Sequence, residues 1–151
     1  MSIIASTQMR KMWRNAFANY TSSTTTNGEY NELYNWGGII KIYSGTINNT
    51  SASTLLLSVD ESITTVETVS GQERIIYHGQ GDAIASGNAS WFSLSTTALP
   101  SEGWTNNIRP PWAYGTVGTD SGADLMIGNT AIVSGTTYLV NNLTFTFAYG
   151  I

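Results

Sequence analysis

Few side chains in this chain could do acid–base or metal chemistry. The 151 residues include one histidine and no cysteine, which excludes disulfides and thiolate metal sites. His78 follows Tyr77 in an apolar run, a position more typical of packing or of a surface strand than of catalysis. Serines and aspartates are abundant, but no nucleophile elbow and no phosphate-binding glycine loop accompanies them. We therefore expect neither an enzyme nor a cofactor site.

Two aspartates four residues apart, Asp120 and Asp124 in D-S-G-A-D, could contribute oxygen ligands to a calcium ion. They lack the regular series of ligands that an EF-hand loop supplies. The pattern favours aspartates that bond their own backbone in a turn. The sequence therefore predicts a turn here rather than a metal site, and leaves the binding of a cation open.

The charge pattern favours contacts with protein over contacts with nucleic acid. Charged residues make up 11% of the chain, against roughly 25% in ordinary soluble domains. Such a neutral polar surface puts little repulsion between copies, which predicts a homo-oligomer. Arg10, Lys11 and Arg14 are half of the six basic residues, but three charges are a weak footprint for nucleic acid.

No run approaches the roughly 20 apolar residues of a membrane span, so no membrane contact is predicted.

Residues 1–28 are predicted to form an arm. Ser6 or Thr7 could cap a short helix running to about Asn19, followed by a polar link that ends at Gly28. A helix of about three turns is not stable alone in water, so it must dock on its own sheet or on a partner. Its apolar stripe consists of Met9, Met12, Trp13, Ala16, Phe17 and Tyr20.

Residues 29–151 are predicted to form an all-β domain, an antiparallel β-sandwich of jelly-roll type with about eight strands. Turn signals recur roughly every 8 to 12 residues, which is typical of sandwiches. The clearest alternation is in the last strand, where Leu143, Phe145 and Phe147 share a face. Asn141-Asn142 is a predicted bulge, since Tyr138 and Val140 are out of phase with Leu143. The other strands are expected at 38–45, 54–59, 74–78, 89–94, 114–119, 123–127 and 131–133, with a weaker segment at 60–68.

A long irregular stretch, the Trp-Pro loop of residues 100–112, holds all three prolines. Loops of this length in compact domains are usually functional or disordered, and the tryptophans argue against disorder. Trp and Tyr are enriched at protein interfaces and also serve as stacking platforms for sugars. We favour protein contacts and leave a glycan open. The predicted partner-binding residues of this loop are Trp104, Arg109, Trp112 and Tyr114.

The order of motifs along the chain resembles that of small virion-associated proteins encoded among the structural genes of tailed bacteriophages. The resemblance runs from about residue 12 to residue 149, and its motifs are structural rather than catalytic. The Trp-Pro loop departs from it, being longer and richer in Trp and Pro than the resemblance leads one to expect. The motifs are WRNAF from Trp13, IKIYSG from Ile40, GNASWF from Gly87, GTVG from Gly115, SGADL from Ser121, NTAIVSG from Asn129 and the closing residues 140–147.

The resemblance implies a non-enzymatic virion component, with a capsid decoration or cement protein as the first choice. On that interpretation the β domain sits on the capsid surface and the arm bridges neighbouring subunits of the major capsid protein or other virion proteins. Arg10 and Arg14 would meet acidic residues there, and the apolar arm residues would be buried. The alternatives are a tail, collar or head–tail junction protein, located in the tail or neck, and a carbohydrate-binding module that uses Trp104, Trp112 and Tyr114.

Overall fold

The structure, a computed structural model, describes the backbone of residues 4–5, 38–69, 72–95 and 112–148. Side chains are described for 39–60, 76–95, 113–140 and 143–144. Within these ranges most of the chain is β-strand, and the only helical element is a single 3-10 turn at Thr50–Ala52. The all-β fold class is therefore confirmed. The predicted arm helix and its link, and the Trp-Pro loop before Trp112, lie outside the described residues.

Seven strands form one continuous sheet in the order β1-β7-β6-β2-β3-β4-β10, and all their pairings are antiparallel. A short strand, β8, pairs in parallel with β7, and β5 pairs separately with β9. The strands are β1 (Ile4–Ala5), β2 (Gly38–Gly45), β3 (Ser53–Val69), β4 (Gln72–Asp82), β5 (Gly87–Asn88), β6 (Trp91–Ser95), β7 (Trp112–Gly118), β8 (Leu125–Met126), β9 (Ala131–Ile132) and β10 (Thr137–Ala148).

The longest strand, β3, joins the predicted strand at 54–59 to the weaker segment at 60–68. Its first part pairs with β2 and its second part, from Ile63, pairs with β4. Ile42 pairs with Leu57 and Tyr43 with Leu55, so one residue, Leu56, is extra at this point. An extra residue breaks strict alternation. Leu56 and Leu57 are consequently both fully buried, which one regular strand face would not allow.

The predicted bulge in the last strand is confirmed. Along β4, Gly79 pairs with Val140 and Tyr77 pairs with Leu143, and the register shifts between the two pairs. The two β4 residues are two apart, whereas their β10 partners are three apart. The additional residue brings both Val140 and Leu143 to the buried face, with 1% and 0% exposure.

One hydrophobic core collects side chains from both ends of this sheet order. It includes Leu94 of β6, Leu57 of β3, Leu125 of β8 and Leu143 of β10. β8 lies beside β7 near one end of the sheet order, yet it contacts β10 at the other end. The sheet is therefore strongly curved, and the two ends of the strand order close around the same core.

Several strand boundaries differ from the sequence-based expectation, and two of these differences involve candidate site residues. The strand expected at 123–127 is confined to Leu125–Met126, although Ile127 still packs partly buried against the core as its spacing from Leu125 predicts. β7 begins at Trp112, two residues before the expected start at Tyr114, so Trp112 belongs to a strand and not to the Trp-Pro loop. The pairing of β7 with β6 explains this difference, because the partner strand supplies hydrogen bonds that local sequence does not reveal.

Candidate functional site

The sheet has a second face, opposite the core, and it carries aromatic residues. Ile42 of β2 and Phe92 of β6 pair with each other and belong to the core. The next residues, Tyr43 and Trp91, also pair with each other and therefore point the other way. Both are buried, at 8% and 2% exposure, but neither belongs to the core cluster. The β2–β6 part of the sheet is thus apolar on both faces.

Tyr43 and Trp91 form a stacked pair with ring centroids 4.3 Å apart and planes inclined by 11°. The indole Nε1 of Trp91 donates a hydrogen bond of 3.0 Å to Ser53 Oγ, which donates one of 3.0 Å to the Thr46 carbonyl oxygen. These bonds fix the ring to the connection between β2 and β3. Because the rings cover each other and Trp91 is almost fully buried, this pair is a packed anchor and not a stacking platform for a sugar.

The sharp start of the β2–β3 connection depends on Gly45. Its φ is +101°, a conformation that side chains with a Cβ rarely adopt. A Cβ at this position would also overlap the carbonyl oxygen of Ala52. The Gly45 carbonyl accepts a 2.8 Å hydrogen bond from Ser90 Oγ, which ties the turn to the start of β6.

Beside the aromatic pair runs a row of polar residues across four strands. Ser58 of β3 pairs with Lys41, Lys41 pairs with Ser93, and Ser93 pairs with Tyr114 of β7. All four side chains are half-buried. Among the side chains that the structure describes, Lys41 is the only lysine or arginine. This row is the polar part of the second face. It places the predicted partner-binding residue Tyr114 in the same cross-strand row as the Lys41 cation.

The aspartates of the D-S-G-A-D motif have separate structural roles. Asp120 Oδ1 accepts a hydrogen bond of 2.9 Å from Gly122 N, the backbone-bonding turn that the sequence predicted. Asp124 differs, since its Oδ2 accepts bonds of 2.9 Å from both Thr116 N and Thr116 Oγ1 on β7. Asp124 N in turn donates to Thr116 Oγ1 at 3.1 Å. Within the described ranges, no group of three or more His, Cys, Asp or Glu side chains is placed to hold a metal ion.

His78 lies on β4, opposite Ile63, and its side chain is half-buried. By alternation with the buried Tyr77 it lies on the face turned away from the core. This agrees with its interpretation as a packing or surface residue of a strand.

Several exposed apolar side chains were not predicted from the sequence. Leu139 of β10 and Ile84 are each 66% exposed, and Val133 is 56% exposed. They lie on two neighbouring segments, since Ala83 N donates to Thr136 O at 2.9 Å and Gly135 N donates to Ala83 O at 2.8 Å. Tyr138 and Val140 pair with β4 and face the core, and Leu139 lies between them. Leu139 therefore points outward, which the pairing with β4 reveals.

Most of the predicted partner-binding residues lie outside the described part of the chain. This holds for the arm residues Met9, Arg10, Met12, Trp13, Arg14 and Phe17, and for Trp104 and Arg109 of the loop. Trp112 and Tyr114 are two residues apart on β7, opposite Ser95 and Ser93. Near the start of the predicted arm, Ile4 and Ala5 pair with Tyr114 and Ala113, so this short piece belongs to the main sheet.

Comparison of the chain with protein-family models, with curated proteins and with solved structures gives no match. In the ranges that the structure describes, no helix has both the length and the apolar character needed to cross a bilayer. The function is therefore inferred from the residues and from the geometry of the sheet.

Proposed function

We propose that this chain is a non-enzymatic structural protein that works by packing against other proteins in a larger assembly. The observation that carries the proposal is the second face of the sheet. There, a buried aromatic pair and a half-buried row containing Lys41 and Tyr114 occupy the side that the core does not use. The aromatic pair is already buried within the chain and holds this part of the sheet in place. The half-buried row beside it is the part that we propose for protein contact, since Tyr114 belongs to it and tyrosine is enriched at protein interfaces.

The finer architecture that we propose is a sandwich of jelly-roll type. Contact between β8 and β10 supports it, because these strands lie at opposite ends of the sheet order and share one core. A strongly curved sheet of this kind presents its outer face and its edge strands to partners. Residues 29–151 would form this domain, with β1 (Ile4–Ala5) added to it, and the rest of the arm, residues 6–28, would extend from it.

The assembly that we propose is the virion of a tailed bacteriophage, with the chain as a decoration or cement protein on the capsid surface. The motif order described above suggests this, and the low content of charged residues, 11%, supports dense packing against neighbours. Burial of Met9, Met12 and Trp13 of the arm against the major capsid protein would offset its ordering, at roughly 25 cal/mol per Å² of apolar area. A position in the tail or neck is the runner-up.

Purified particles of the encoding phage provide the test, with heads and tails separated and this chain quantified in each fraction. We expect it in the head fraction, in many symmetry-related copies. Combined Trp13→Ala and Phe17→Ala substitutions should reduce its incorporation strongly, whereas Thr54→Ala on an exposed strand position should not. Absence of the wild-type chain from purified particles would refute the virion proposal. Normal incorporation of the arm variant would refute the role of the arm alone.

A further inference from the structure

The exposed start of β10 has the features of an association site. β10 is the last strand in the sheet order, and among the described strands it pairs with β4 alone. The opposite end of the sheet differs, because both β1 and β8 pair with β7 there. The regular first part of this edge, Thr137–Val140, offers about 13 Å of backbone, with alternate amide and carbonyl groups directed away from β4.

The usual protections against edge-to-edge pairing are weak on β10. Natural edge strands carry charged side chains, prolines or bulges that block addition of another strand. β10 contains no charged residue and no proline, and its one register shift lies after Val140. The stretch Thr137–Val140 before that shift therefore remains regular. Its outward side chain Leu139 is 66% exposed, and Val133 and Ile84 are exposed close by in the chain segments that bond to its start.

From these features we infer that the chain forms a twofold dimer by antiparallel pairing of the Thr137–Val140 edge with the same edge of a second copy. An antiparallel pair made of one strand and its own copy satisfies twofold symmetry, so every contact occurs twice. Burial of Leu139 from both copies would supply the apolar contact. The inference does not depend on the virion proposal, since it concerns the isolated protein.

The charge pattern disfavours a charged partner and permits a second copy. The edge has no charged group that would attract a partner of opposite charge. The nearest acid on β4, Asp82, accepts a hydrogen bond from the Thr137 hydroxyl within the same chain. Two identical uncharged edges meet without repulsion, whereas like charges placed opposite each other would oppose pairing. The low overall charge of the chain acts in the same direction.

The test is the mass of the full chain in solution, measured by light scattering after gel filtration over a dilution series. The wild type should reach twice the 16.3 kDa of one chain at high concentration. Leu139→Lys should raise the dimer dissociation constant by about tenfold or more, because it places two cations near the twofold axis. Thr54→Lys adds the same charge at an exposed strand position outside the edge. It should change the dimer dissociation constant by less than about twofold.

A second, milder substitution at the same position controls for misfolding of the Leu139→Lys variant. Leu139→Thr keeps β propensity while removing the apolar contact, and it should also weaken the dimer. Hydrogen exchange of the wild type should show slower exchange for amides of 137–140 in concentrated than in dilute solution. A wild type that is monomeric at every concentration, or an oligomer that Leu139→Lys and Leu139→Thr leave intact, would overturn the inference. An assembly larger than a dimer would overturn the twofold pairing.

Discussion

Replacement of Asp124 by alanine should destabilise the fold more than its position in a turn region suggests. The change removes two hydrogen bonds that its carboxylate accepts from Thr116, at 2.9 Å each. A hydrogen bond to a charged group contributes about 1.5–3 kcal/mol. Both bonds end on one half-buried oxygen, so we expect a combined loss of about 2–4 kcal/mol. The next residue, Leu125, is fully buried, so loosening this link also disturbs the core.

The matched control is Asp120→Ala, which removes one exposed bond to Gly122 N and should cost about 0.5–1 kcal/mol. Urea unfolding, followed by circular dichroism and tryptophan fluorescence, measures both values. A double-mutant cycle of Asp124→Ala with Thr116→Val should give a coupling energy above about 0.5 kcal/mol, since Thr116 is the shared partner. Equal losses for the two aspartate variants, or simple additivity in the cycle, would refute this account of Asp124.

Two further predictions concern the turn at Gly45 and the aromatic pair beside it. Gly45→Ala should cost about 1–3 kcal/mol of unfolding free energy, because a Cβ is strained at a φ of +101° and meets Ala52. The control is Gly128→Ala, where a Cβ has nothing within 4 Å, and it should change the unfolding free energy by less than about 0.5 kcal/mol. Similar losses for both glycine variants in urea unfolding would contradict the role of Gly45. Trp91→Phe should keep the ring pair but lose the bond to Ser53, at about 0.5–1.5 kcal/mol. The same substitution in a Ser53→Ala background should cost less, and an unchanged cost would exclude a contribution from that bond.

The sequence by itself determined the strand content and several local features. Local sequence patterns located β2, most of β6 and β7, and the middle of β4, because such patterns depend only on neighbours along the chain. The same reasoning placed the bulge in β10, since Val140 and Leu143 are apolar but out of phase. The Asp120 turn followed from the tendency of aspartate to bond a backbone amide two residues on.

The tertiary structure alone decided which surfaces meet. In β6, Trp91 and Phe92 are adjacent and both apolar, so alternation could not tell which faces the core; pairing with β2 decided it. The weak segment after Val59 became strand because β4 pairs with it, and Asp124 reached Thr116 because β8 lies beside β7. Such pairings join residues that are distant in sequence, and their energy comes from hydrogen bonds and burial completed only in the folded sheet. For the same reason, only the folded structure shows that Leu139 on β10, on which the proposed dimer depends, is exposed.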